Sequence, residues 1–163
     1  MPDPDPVFRA PMRSRTLELA PGIGAEHAIG RGVCAIGGVV SPTPDDLHDA
    51  LAAVADQHGE RAARRLRRFA DVPVGAFVWT RDRDGGYRLG RLRGPWHYDA
   101  TEASAAVDLP HVRPTAWLDR RFAEDEVPAA VAATFGRGGR NFQRTHDAEA
   151  ERDSAALWAA GDG

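Results

Sequence analysis

The sequence predicts an α+β domain: several strands in a curved sheet, with short helices between them. Three observations predict it. Apolar runs bounded by Gly and Pro recur along the chain at strand length, and stretches with helical periodicity lie between them. An Asp84-Gly85-Gly86 turn then joins two adjacent runs, and its residues tolerate the positive φ of a tight hairpin. At 163 residues, with no internal repeat or interior linker, one domain is expected.

The elements follow in order. Residues 1–11 are acidic and proline-rich and read as a flexible arm, the domain itself spanning 12–146 and a C-terminal helix and tail 147–163. Residues 12–19 read as a first strand, 22–29 as a short helix, and 33–40 as a buried strand. Thr43 and Pro44 then suit the start of a helix whose buried stripe is Leu47, Ala50, Leu51, Val54 and Ala55. A second helix over 60–70 buries Ala62, Ala63, Leu66 and Phe69, and gathers Arg61, Arg64, Arg65 and Arg68 on its other face. Strands are predicted over 74–80 and 87–93, and Trp96-His97-Tyr98 continues beyond the Gly94-Pro95 break. Residues 111–118 form a further strand, with Pro114 suggesting an edge or a bulge. A helix starting at Pro128 ends at Gly136, a last strand covers 141–146, and Asp147 caps a final helix.

Charge is segregated along the chain. The total is −3, yet residues 61–93 hold 10 Arg against 3 acids, while the segments on either side are net acidic. Every basic residue is arginine, which reflects coding bias first and guanidinium chemistry second. The start has neither the basic nor the apolar stretch of a signal peptide, and no run reaches the length of a membrane span. A cytoplasmic location without membrane contact is therefore expected. The single cysteine, Cys34, lies in an apolar run and reads as a buried, inert thiol.

Catalytic signatures are missing. Without lysine there is no P-loop, the serines sit in no nucleophile elbow, and the six histidines form no metal-binding pair at helical spacing. The glycine-rich segment 136–140 follows a helix instead of opening one, so it reads as a turn. No cofactor, metal or catalytic residue is assigned. What remains is the basic segment interleaved with aromatics. Arg61, Arg64, Arg65, Arg68, Arg88 and Arg91 are the candidates for holding phosphates, and Trp79, Trp96 and Tyr98 those for contacting a base. Phe69, Phe77 and Trp117, at core-like spacing, are expected to be structural, and the helical arginine stripe can equally be a solvated face.

Three motifs resemble a known family. Residues 69–78 are similar to the F-x-x-x-x-x-G-D-x-V segment that opens a PUA-like barrel, with Ala76 where an acid is common. Residues 89–98 resemble its I-G-x-V-x-G-P-Y-x-Y strand, and 111–118 its H-x-R-P-V-x-W-L strand. In this order they resemble the EVE/YTH-like domain that precedes the nuclease in Mrr-like restriction endonucleases. The resemblance covers about residues 14–146 and implies a small curved β-barrel of PUA/EVE-like type with surrounding short helices. It also implies a non-catalytic reader that holds a flipped, modified base in an aromatic-lined pocket. It implies nucleic acid as the partner, DNA ahead of RNA, with a separate nuclease or other defence protein beside it. One departure concerns the pocket: Gly38 stands where relatives often place an aromatic, so that wall is either missing or supplied by Trp79 or Trp96. Two alternatives stay open. ASCH-type relatives act enzymatically on nucleic acids, with His97, His111 and His146 the first candidates for proton transfer, and an aromatic patch can also serve a protein-binding adaptor.

Overall fold

The computed structural model describes residues 4–161. Its centre is a seven-stranded sheet that curls into a half-barrel: β1 (Val7–Arg9), β2 (Val33–Ile36), β3 (Phe77–Arg81), β4 (Tyr87–Leu92), β5 (His97–Tyr98), β6 (His111–Trp117) and β7 (Gln143–Arg144). The spatial order is β2-β6-β4-β3-β1-β7, with β5 paired to β6 beyond the end of β4. Six helices surround it: α1 (Ile23–Gly30), α2 (Leu47–His58), α3 (Glu60–Asp71), α4 (Glu102–Ala106), α5 (Ala129–Gly136) and α6 (Ala148–Gly161). The mixed α and β content round a curled sheet matches the expected class. Among the described residues no helix is long and apolar enough to cross a membrane.

Several boundaries differ from expectation for identifiable reasons. The start of the chain is not all arm: Val7–Arg9 pair in parallel with β3 and antiparallel with β7, and Val7 is fully buried, while residues 1–3 lie outside the described residues. Residues 12–19 form an irregular segment instead of a strand, with Met12 held at positive φ. β2 stops at Ile36 because Gly38, at φ 119°, turns the chain out of the ladder. Helix α2 begins three residues late. Its cap is Asp46, which accepts a hydrogen bond from the Asp49 N–H at 2.8 Å, and not Thr43. β6 is central and not an edge, being flanked by β2 on one side and by β4 and β5 on the other. Pro114 falls at the step where that second neighbour changes.

Two apolar clusters form the core. One lies under α2 and α3 and contains Val54, Leu66, Phe69, Val78 and Leu92. The other lies under α5 and α6 and contains Phe77, Trp79, Leu89, Phe122 and Trp158. Cys34 is buried in the first, and burial pushes its thiol up to about 12, so it is inert as expected.

A buried arginine joins the first cluster to the sheet. Arg113 on β6 is 2% exposed. Its Nη1 donates to the carbonyls of Phe69 at 2.9 Å and Val72 at 2.8 Å, and its Nε donates to Gly94 at 2.8 Å. The cation thus meets the negative end of α3, where the last carbonyls lack helical partners. Burial lowers its pKa, and the carbonyl cage offsets that cost without a carboxylate. Replacing Arg113 by Met is expected to cost about 3 kcal/mol or more, since several buried carbonyls lose their donors. Urea denaturation measures this. Arg113→Lys is expected to recover only part of it, because one ammonium cannot reach both Gly94 and the helix end.

Candidate functional site

The helical period of α3 puts Ala63, Leu66 and Phe69 into the core. The opposite face presents Arg61, Arg64 and Arg68 to solvent, with Arg65 half-buried at the margin. This margin forms one wall of a cleft of about 190 Å³. Arg65 and Arg68 line it from α3, Arg13 and Arg15 from the segment after β1, and Arg140 from the loop before β7. Among the described residues none of these five arginines is in an ion pair. Burial, followed by the nearby charges of Arg15, Arg68 and Arg61, holds Arg65 below the ordinary arginine value. Like charges have therefore been gathered without compensation.

The floor and back wall of the cleft are apolar. Ala10, Met12, Ala35, Ile36, Leu109 and Phe142 supply them. Phe142 is fixed by stacking on Phe8, with centroids 4.9 Å apart and planes at 10°, and by an edge contact with Phe69 at 5.1 Å.

Asp108 is the one acid lining the cleft, and it is already engaged. Its Oδ2 accepts from the Ser14 hydroxyl at 2.9 Å, and its Oδ1 from the Gly38 N–H at 3.0 Å. The Asn141 amide oxygen accepts from Arg15, and Arg140 donates to the Ser14 carbonyl at 2.8 Å. A charged rim over an apolar floor suits a ligand with a planar apolar part and an anionic part.

The structure divides the expected site residues. Arg65 and Arg68 line the cleft, while Arg61 and Arg64 lie on the same helix but outside it. Arg88 and Arg91 are instead engaged within the fold. Arg88 donates to the Leu118 carbonyl at 2.8 Å, and Arg91 donates to the Gly75 carbonyl, pairs with Asp5 and lies over the Phe77 ring.

Trp79 cannot serve as a base contact, because it is fully buried in the second cluster, with its indole N–H donating to Ser154 at 3.0 Å. Trp96 and Tyr98 do not line the cleft either. Trp96 donates to His111 Nδ1 at 3.1 Å and stacks on that ring, and the Tyr98 hydroxyl bonds with the backbone of Val40. Phe142 lines the cleft, whereas Trp79 and Trp96 do not. Gly38 itself lines the cleft. A Cβ there would sit 3.3 Å from His111 Nε2, and the positive φ excludes most other residues.

Arg13, Arg15, Asp108, Arg140, Asn141 and Phe142 are cleft residues that the sequence did not single out. They come from three distant segments with no shared motif, and only the Arg13-x-Arg15 alternation offered a local signal. The three histidines named for proton transfer are not organised for it. His97 is exposed and His146 borders a different cavity, while both His111 nitrogens are bonded within the fold. At the start of α2, the exposed Asp46, His48 and Asp49 are close enough to share a cation, but Asp46 is committed to capping.

No protein-family model, curated protein or solved structure matches the chain.

His111, bonded to the cleft residue Gly38, provides a pH-dependent test of the packing behind that residue. Its Nε2–H donates to the Gly38 carbonyl at 2.8 Å, leaving Nδ1 to accept from Trp96, so the bonding requires the neutral ring. Burial pushes its pKa down to about 4, against an ordinary value of 6.5. The stability contributed by the neutral ring is complete above about pH 6.5 and is lost as pH falls toward 4. The expected loss is on the order of 3 kcal/mol. Denaturant melts from pH 7.5 to 4.5 measure it, and His111→Gln is expected to flatten this part of the profile.

Proposed function

We propose that this chain is a non-catalytic nucleic-acid reader of PUA/EVE-like type, in which the arginine-rimmed cleft receives a flipped base together with its flanking phosphates. One observation carries the reading: five unpaired arginines surround an apolar cleft that ends on an aromatic ring. Guanidinium groups bind phosphate oxygens bidentately, while the apolar floor and the edge of Phe142 suit a planar base. The cleft is smaller than the roughly 300–1,000 Å³ of drug-sized sites, which favours one base over a larger ligand. The motif resemblance favours DNA, a modified base, and a separate nuclease or other defence protein acting alongside.

The test is an anisotropy titration against single- and double-stranded oligonucleotides, with and without base modification, at two salt concentrations. Affinity is expected to fall steeply with log[salt], as released counterions require. Arg65→Ala and Arg68→Ala are each expected to weaken binding by about tenfold, the loss of one charge-assisted contact. Trp96→Ala is expected to lower stability without changing selectivity. A folded protein that binds none of these oligonucleotides overturns the reading.

A further inference from the structure

Directly after the cleft's Arg140, Asn141 and Phe142, the chain from residue 143 to 147 borders a second cavity, of about 230 Å³. Arg9, Arg137, Gln143, Arg144, His146 and the acid Asp147 are among the residues that line it. The geometry points to a phosphate subsite here, taking a neighbouring phosphate of the same strand whose base occupies the cleft. As a strand subsite it rests on the nucleic-acid reading above, but its affinity for the anion is independent of that reading.

Arg9 is 5% exposed, and all its hydrogen bonds go to neutral acceptors. Nε donates to the Asn141 carbonyl at 3.2 Å, Nη1 to the Thr134 carbonyl at 2.8 Å, and Nη2 to Gln143 Oε1 at 3.0 Å. No acid pairs with it among the described residues. Burial and then the charge of Arg137 lower its pKa, so two cations face each other without a counter-ion.

The acids nearby are already occupied. Asp147 caps α6 by accepting from the Ala150 N–H at 2.8 Å, and Glu151 meets Arg144 only at 3.8 Å. A phosphate entering the cavity is drawn by the guanidiniums of Arg9, Arg137 and Arg144 that line it. The Asn141 carbonyl held by Arg9 belongs to a residue of the cleft, so the two sites share one short segment.

The test uses the full chain with two probes. Titrating inorganic phosphate into the isotope-labelled protein is expected to shift the amide resonances of Arg144, Thr145 and His146 saturably. The exposed pair Arg137→Ala and Arg144→Ala is expected to abolish that shift. The same double variant is expected to bind an oligonucleotide about tenfold more weakly, with a salt slope smaller by about 1–2, and to bind a nucleoside monophosphate as the wild type does. Absence of phosphate shifts at these residues overturns the subsite. Phosphate shifts with unchanged oligonucleotide affinity overturn its role in holding a strand. Wild-type protein that shows the phosphate shifts but binds no oligonucleotide contradicts the nucleic-acid reading and leaves a site for the free anion.

Discussion

A guanidinium buried without an acid holds the sheet to the helix that forms the cleft. Arg113 reaches from β6 to the last carbonyls of α3 and to Gly94, in the connection between β4 and β5. Its alternatives are poor. A carboxylate partner would have to be buried too, at a desolvation cost that often exceeds the Coulombic gain. The carbonyls of a helix end are already present and need donors. This one contact therefore satisfies groups from three parts of the chain and sets where α3 ends.

The position of the cleft follows from that constraint. With Leu66 and Phe69 driven into the core and the end of α3 held at Arg113, Arg65 and Arg68 must face the segment after β1. That segment and the loop before β7 bring three more arginines, and the turn before β6 brings the acid Asp108, already engaged by Ser14 and Gly38. Outside the cleft some arginines do meet acids, as Arg121 does with Asp82 and Asp84 at the hairpin turn. Unpaired cations at the cleft cost self-repulsion, and a bound polyanion would relieve it.

Much of the fold was legible because local rules govern it. The stripe on α3 reads from helical spacing, the β3–β4 hairpin from its turn residues, and the α6 cap from Asp147. The misreadings share a physical origin, since local pattern does not reveal what covers a surface. Trp79 alternates as a strand residue should, but nothing near it announces that α6 will bury it. Trp96 follows a Gly-Pro break as a site aromatic would, yet its N–H is spent on His111. The acidic, proline-rich start obscured Val7–Arg9, whose place in the sheet depends on β3, some 70 positions away. Phe142 joins the cleft only because Phe8 and Phe69 hold it there.

The central claim is that a nucleic acid lies in the cleft between α3, the segment after β1 and the loop before β7. Photo-crosslinking a bound oligonucleotide and sequencing the modified peptides tests it most directly. The account predicts adducts at Phe142 and within residues 12–16. Adducts confined to the β3–β4 hairpin or to α2, with none on either side of the cleft, would contradict it.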